Sequence, residues 1–156
     1  MRIAIINFSK FDELEHTLNQ LESLYKNIIG VEIDLFCDDK VALDARLQSN
    51  SYIRNIYPQK IDNISFFTLN GKYKSLRYYT KFNRYHIAVD TQGEFLSAIT
   101  TYVLAGNTAG FTSKPLKNKL IAKLFYDETL DVKDMEKENQ IYNLFHKTFG
   151  FEEDAD

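Results

Sequence analysis

Two carboxylates stand at the start of a predicted helix, directly after an apolar strand. Asp12 and Glu13 follow the segment RIAIIN, residues 2–7, and a short bend, FSK. In a parallel α/β protein this position lies at the carboxyl end of a strand, where ligand sites are found. A carboxylate there can accept the proton of a substrate hydroxyl as a general base. His16 lies one helical turn further on and could assist it.

The same acids also have a purely structural interpretation. Asp12 is a suitable N-cap, and Glu13 and Glu15 would then lie at the positive end of the helix dipole. Residue types alone leave both interpretations open. No glycine occurs from Phe8 to Leu14, which excludes the dinucleotide-binding fingerprint because that motif needs glycines for its tight turn. The chain also lacks the GxxxxGK[ST] loop of nucleoside triphosphatases.

A second candidate lies in KYKSLRYYTKFNRY, residues 72–85, which contains five basic residues and no acid. Helical spacing places four cations on one side, which we call the basic stripe: Lys74, Arg77, Lys81 and Arg84. Tyr78, Phe82 and Tyr85 form an adjoining aromatic stripe. This pattern suits an anionic ligand with an apolar or sugar body, or a membrane surface. It is equally typical of an amphipathic helix that packs through its aromatic side chains.

A third candidate is VDTQG, residues 89–93, where a predicted strand ends before a helix. Asp90 and Gln92 could hydrogen-bond sugar hydroxyls or hold the loop, and Gly93 permits a tight turn or a close ligand. No motif of metal, thiol or serine-hydrolase chemistry occurs, so we expect neither a metal nor a cofactor.

Composition bounds the class of protein. A chain of 156 residues with 44% hydrophobic and 26% charged residues is typical of one globular domain. We predict a cytoplasmic protein, because no apolar run is long enough to span a bilayer and no basic leader is present. The single cysteine, Cys37, is expected to be a small buried hydrophobe.

Charge is segregated along the chain. Residues 61–126 carry nine bases and three acids, whereas residues 127–156 carry three bases and ten acids. The central segment could therefore face something anionic, although such runs are also common on solvated faces. Nucleic acid is not expected as a partner, because the net charge is -3 and no nucleic-acid-binding signature occurs.

Alternating strands and helices predict an α/β fold: a three-layer, doubly wound Rossmann-like domain with a mainly parallel sheet. We predict this domain over residues 1–150 and a tail or the start of a linker over 151–156. Strands are predicted at RIAIIN, VEIDLFC, YIRNIYP, YHIAVD and AGFT, the third being stopped by Pro58. Helices are predicted at residues 13–26, 41–50, 72–83, 94–105, 116–125 and 135–149. If strands one and four are neighbours, the loops at residues 7–13 and 90–93 rim one crevice.

Four stretches occur in an order and spacing that resemble one family. They are MRIAIINFSKFDELEHTL, VEIDLFCDDK, YHIAVDTQGEFLSAITTYVLAGNTAGF and IAKLFYD, and they cover most of residues 1–127. The sequence resembles the N-terminal domain of the lipopolysaccharide heptosyltransferases, which are glycosyltransferases of family 9 with the two-domain GT-B fold. The resemblance implies that the chain is one half of such a fold.

The resemblance implies inverting transfer of a heptose from an ADP-sugar donor to the inner core of lipopolysaccharide, on the cytoplasmic side of the inner membrane. The implied partners are an anionic glycolipid acceptor resembling lipid A and Kdo, a donor held by a second domain, and the inner membrane as a peripheral contact. We expect the chain to be inactive without that second domain. The alternatives are a non-catalytic carbohydrate- or lipid-binding module derived from the same fold, and a flavodoxin-like small-molecule binder.

The resemblance also implies site residues. In the family the first loop has a pattern like S-x-x-G-D, whose aspartate is the proposed base. Ser9 matches the serine, Asp12 stands at the glycine position and Glu13 at the aspartate position. Glu13 is therefore the first candidate for the base and Asp12 the second. The implied substrate-binding residues are Ser9, the basic stripe, Asp90, Gln92, Gly93, Lys117 and Lys119.

Overall fold

The computed structural model of the chain describes residues 1–61, 74, 76–78, 80–81, 83–111, 124–131 and 135–151. In this part six strands form one sheet, and every neighbouring pair is parallel. The strands are β1 Arg2–Ile6, β2 Glu32–Asp38, β3 Ile53–Gln59, β4 Ile87–Asp90, β5 Thr108–Phe111 and β6 Glu128–Leu130. Their order is β3-β2-β1-β4-β5-β6, so the direction of winding reverses between β1 and β4. The predicted fold class is confirmed.

Helices cover both faces of the sheet. They are α1 Phe11–Leu18, α2 Leu21–Asn27, α3 Asp39–Ala42, α4 Ala45–Gln48, α6 Phe95–Leu104 and α7 Lys137–Phe149. The described residues between 74 and 83 are also helical and form α5. One apolar cluster joins α1, α2 and α7 to the sheet, and a second cluster joins α5 and α6 to its other face. The result is a three-layer domain with a core on each side of the sheet.

The apolar opening of the chain is explained by the position of β1 at the centre of the sheet. Ile3 and Ile5 lie in the cluster with α1, α2 and α7, whereas Ala4 and Ile6 lie in the cluster with α5 and α6. All four side chains are completely buried. A strand that is buried on both faces needs a continuous apolar run rather than an alternating one.

Several predicted element boundaries are wrong. The helix predicted over residues 13–26 is divided into α1 and α2 at Asn19 and Gln20. The helix predicted over residues 41–50 is divided into two single turns, α3 and α4, which Asp38 and Asp44 cap. Asp and Asn favour such ends because their side chains bond nearby backbone groups.

The two edge strands also differ from the sequence prediction. Pro58 does not stop β3 but lies inside it, opposite Cys37 of β2. Because β3 is at the edge of the sheet, the missing N–H of the proline can face away from the ladder. Strand β6, at the other edge, was not predicted, because its three residues are too few to show a period.

The carboxyl-terminal helix ends where it was predicted to end. Gly150 follows α7 with a φ of 66°, the left-handed conformation that glycine adopts without strain. The Phe151 ring stacks on Phe149 at a centroid distance of 5.8 Å, so the core extends to this residue. Residues 152–156 and most of the helix predicted at 116–125 lie outside the described residues. The domain boundaries stay a prediction.

Cys37 is buried, as expected for a small hydrophobe. Burial raises the pKa of its thiol to about 12, with a smaller contribution from the carboxylates of Asp38 and Asp39. Across the described ranges, no helix combines the length and the hydropathy that crossing a membrane requires.

A glycine in β5 is required by a neighbouring aromatic ring. A Cβ atom placed on Gly110 would lie 2.7 Å from Cε2 of Tyr126, and this ring is buried. We expect Gly110→Ala to lower the free energy of unfolding by about 1–3 kcal/mol, the usual cost of overpacking. Urea denaturation measures the change. Gly106→Ala is the matched control, because a Cβ there meets nothing within 4 Å; equal stability of the two variants would contradict this packing.

Candidate active site at the carboxyl edge of the sheet

The loops that follow β1 and β4 lie side by side. Ile6 is the register partner of Asp90, so both strands end at the same level. The backbone N–H of Phe8 donates to Oε1 of Gln92 at 2.8 Å, and the N–H of Thr91 donates to the carbonyl of Ile6 at 3.1 Å. The predicted adjacency of the two loops is confirmed. The reversal of strand order lies between these loops, where ligands of doubly wound sheets bind, and we call this place the crevice.

A buried group of polar side chains fixes the first loop to the second. Nδ2 of Asn7 donates to Oγ1 of Thr91 at 3.0 Å, and Oγ1 of Thr17 donates to the same atom at 2.9 Å. All three side chains are at most 2% exposed. Buried polar groups specify one arrangement when they are satisfied. The sequence analysis did not predict this group of side chains. The signal that could have indicated it is the polar residue at the end of each apolar strand.

Asp90 is completely buried and holds the second loop. Its Oδ1 accepts hydrogen bonds from the backbone N–H groups of Gln92 and Gly93, both at 2.9 Å. Its Oδ2 accepts from Oγ of Ser97 at 2.8 Å and from the hydroxyl of Tyr126 at 2.6 Å. Burial raises the pKa of the Asp90 carboxyl, while these four bonds act in the opposite direction. Of the two roles considered for Asp90, the structure shows the one that holds the loop.

The turn after Asp90 depends on Gly93. Its φ of 80° lies in the left-handed region, which bends the loop so that two successive N–H groups reach one carboxylate oxygen. The side chains of Glu94 and Ser97 then form a capping box that starts α6. Gln92 is half-buried and uses its carbonyl oxygen to bind the first loop.

The candidate acids lie in the first turn of α1, at the rim of the crevice. Because Phe11 is buried in the core, the helix begins two residues earlier than predicted, and Lys10 is its N-cap. The predicted N-cap role of Asp12 is therefore wrong; both Asp12 and Glu13 are exposed to solvent. Oε2 of Glu13 lies 3.5 Å from Nζ of Lys137 on α7.

Ser9 and His16 are engaged elsewhere. The N–H of Ser9 donates to Oδ1 of Asn7 at 3.0 Å, and its hydroxyl donates to the same oxygen, so Ser9 shapes the first loop. Nδ1 of His16 lies 3.5 Å from a carboxylate oxygen of Glu138 on α7. No set of three or more histidine, cysteine or acidic side chains suited to a metal ion is found within the described ranges.

The structure does not gather the whole basic stripe at this crevice. Arg77, Lys81 and Arg84 line a cavity of about 590 Å³ together with residues that immediately precede β4, β5 and β6. That cavity lies at the amino edge of the sheet, whereas Glu13 lies at the carboxyl edge. Lys74 is at the other end of α5, roughly 15 Å from its last turn at 1.5 Å per residue. Lys117 and Lys119 lie outside the described residues.

Known proteins share both sequence and fold with this chain. Lipopolysaccharide heptosyltransferase 1 of Campylobacter coli is 28% identical over 134 residues, which are 85% of this chain and 36% of that protein. The chain resembles part of a lipopolysaccharide heptosyltransferase. The resemblance inferred from the sequence is thereby confirmed. No protein-family model matches the chain.

Three solved glycosyltransferase structures share the fold. E. coli heptosyltransferase WaaC with ADP superposes with a TM-score of 0.77 at 22% identity, over 100% of this chain and 50% of that one. E. coli ADP-heptose heptosyltransferase II gives 0.73 at 14% identity, over 94% and 41%. The family 9 glycosyltransferase of Veillonella parvula gives 0.75 at 15% identity, over 93% and 40%. The chain thus spans half or less of the length of each of these proteins.

The bond from Tyr126 to Asp90 can be tested by removing one hydroxyl. Tyr126→Phe leaves a buried carboxylate oxygen with one donor fewer, so we expect the free energy of unfolding to fall by about 1–3 kcal/mol. Tyr102→Phe is the matched control, since Tyr102 is 57% exposed and its hydroxyl has no hydrogen-bond partner among the described residues. Thermal or urea unfolding measures both. A Tyr126→Phe variant as stable as the control would contradict the anchoring role of Asp90.

Proposed function

We propose that the chain is the acceptor-binding half of a family 9 glycosyltransferase that transfers a heptose to the inner core of lipopolysaccharide. The observation that carries this proposal is the exposed carboxylate of Glu13 in the first turn after β1, at the reversal of strand order. It stands at the sequence position of the base in the family that the chain resembles. The 28% identity to a heptosyltransferase supports the assignment.

In this proposal Glu13 is the general base. Its carboxylate takes the proton of an acceptor hydroxyl while the hydroxyl oxygen forms a bond to the anomeric carbon of the donor sugar. The bond from that carbon to ADP breaks, and the electron pair leaves with ADP. Attack occurs on the face opposite ADP, so the anomeric centre is inverted.

The surroundings of Glu13 suit this role. Its side chain is 53% exposed and its ion pair with Lys137 lies at the surface, where such pairs are weak. The carboxylate can therefore exchange Lys137 for a substrate hydroxyl. The backbone beneath it is rigid, because Asn7 and Gln92 bind the first loop to the second. A fixed backbone with an exposed carboxylate is what positioning a base requires.

The donor in this proposal is an ADP-sugar held by a second domain. Its support is that structures with the same fold contain ADP or ADP-2-deoxy-2-fluoro heptose. The acceptor is an anionic glycolipid of the lipid A and Kdo type, which Ser9, Gln92 and Gly93 contact. The domain over residues 1–150 then works at the cytoplasmic face of the inner membrane as a peripheral protein, and residues 151–156 begin the linker.

The base assignment is tested by Glu13→Gln and Asp12→Asn in the chain joined to a donor-binding domain. We expect Glu13→Gln to lower kcat by about a hundredfold or more, because proton transfer to a positioned base contributes that much. Asp12→Asn should lower it far less. ADP release from ADP-heptose in the presence of Kdo-lipid A measures the rate.

Glu15→Gln is the matched control, since Glu15 is an exposed acid in the same helix. Unchanged turnover in both Glu13→Gln and Asp12→Asn would remove these acids from the mechanism. If the joined protein without any substitution binds the acceptor but transfers no sugar, the non-catalytic binding module would be favoured instead.

A further inference from the structure

The amino edge of the sheet carries a cavity that glycosyl transfer at the crevice does not use. It has a volume of about 590 Å³, within the range of small-molecule sites. Its lining includes Tyr85, Gly106 and Asp127, which come shortly before β4, β5 and β6. These strands are three or four residues long, so roughly 10–15 Å of sheet separates the cavity from the crevice.

One side of this cavity is cationic. Arg77, Lys81 and Arg84 line it, against one carboxylate, that of Asp127. Oδ2 of Asp127 already accepts a hydrogen bond from the backbone N–H of Thr108 at 2.9 Å. Within the described ranges, neither Lys81 nor Arg84 has a carboxylate at ion-pair distance. Two exposed cations therefore face the cavity with hydrogen-bonding capacity to spare.

The backbone at the rim is also unusual. Arg84 has a φ of 49° and is the only described residue other than glycine with a positive φ. An L-residue pays roughly 1–2 kcal/mol for this conformation, and glycine or asparagine is the common choice at such a helix end. Arg84 lines the cavity, and a guanidinium group binds phosphate in a bidentate manner.

Other residues that line the cavity are apolar and aromatic. Tyr102 and Phe125 line it as an edge-to-face pair with ring centroids 6.1 Å apart. Tyr102 and Leu124 are 57% and 72% exposed, which is high for such large side chains. A lining that combines cations with exposed apolar groups fits a ligand with an anionic head and a hydrophobic body.

We infer that this amino-edge cavity binds a phosphate ester with an apolar body, at a site separate from the crevice. Lys81 and Arg84 bind the phosphate, and Tyr102, Leu124 and Phe125 contact the apolar part. The phosphate ester is either a soluble metabolite or the head of a membrane lipid. The site is independent of the proposed transfer reaction, since it contains neither candidate base.

Two probes distinguish these sources. Hexyl phosphate tests a soluble ester: it is titrated into the chain and its binding is followed by NMR of the backbone amides. Hexanol and inorganic phosphate, each of which carries only one half of the ester, serve as half-ligands. Flotation with phosphatidylcholine vesicles, with and without phosphatidic acid, tests a lipid. The test variant is Lys81→Gln/Arg84→Asn, because asparagine tolerates the positive φ at position 84.

The control variant is Lys26→Gln/Lys40→Gln, which removes two exposed lysines from α2 and the start of α3, on the other face of the sheet. We expect saturable binding of hexyl phosphate, stronger than that of either half-ligand, or flotation that requires phosphatidic acid. The substitutions of the test variant should weaken this binding about tenfold or more, and those of the control variant should leave it unchanged.

Equal loss of binding in the test variant and the control variant would show that binding depends on net charge alone, and would overturn the proposed site. Absence of binding to both probes would overturn it as well. Hexyl phosphate binding no tighter than inorganic phosphate, together with no flotation, would overturn the apolar half of the inference.

Discussion

The buried carboxylate of Asp90 is the constraint on which the crevice depends. It ends the central strand β4 inside the protein, where a carboxylate is costly unless its oxygens are hydrogen-bonded. Four donors meet that demand: two from its own loop, one from α6 and one from Tyr126. The loop, the helix and the segment before β6 are therefore fixed to one point. Gln92, which extends from this loop, in turn binds the loop that carries Glu13.

This arrangement separates rigidity from chemistry. The side chains that hold the two loops together, Asn7, Thr17 and Thr91, are buried and satisfied. The acids proposed to act on a substrate, Asp12 and Glu13, are exposed in the first turn of α1. The opposite edge of the sheet has its own charged surface, where the end of α5 brings Lys81 and Arg84 to a cavity. One parallel sheet thus presents two chemically different edges.

The sequence was sufficient for the fold and for the position of the crevice. The run RIAIIN predicted an apolar strand, and a glycine after α7 predicted the end of that helix; both features are local. Features decided by distant contacts were missed. The hydroxyl of Tyr126 meets Asp90 across 36 positions of sequence, and no local pattern indicates this bond. Pro58 is accepted in β3 only because that strand lies at the edge, which depends on strand order.

The same distinction between local features and distant contacts applies to the candidate site. The segment after β1 could be placed at the crevice from strand periodicity, and Glu13 from the pattern that it shares with a family. Helical spacing also put four cations on one stripe. Spacing does not say which edge of a sheet the end of a helix reaches, so the separation of Arg84 from Glu13 needed the structure.

The central claim is that the acceptor sugar binds between the loops after β1 and β4. The most direct test is NMR mapping of the chain titrated with a Kdo-containing inner-core oligosaccharide freed of its lipid chains. The account predicts saturable shifts concentrated at the amides of Ser9, Glu13, Gln92 and Gly93. Saturable shifts that leave these four amides unchanged would contradict it, as would the absence of binding at millimolar oligosaccharide.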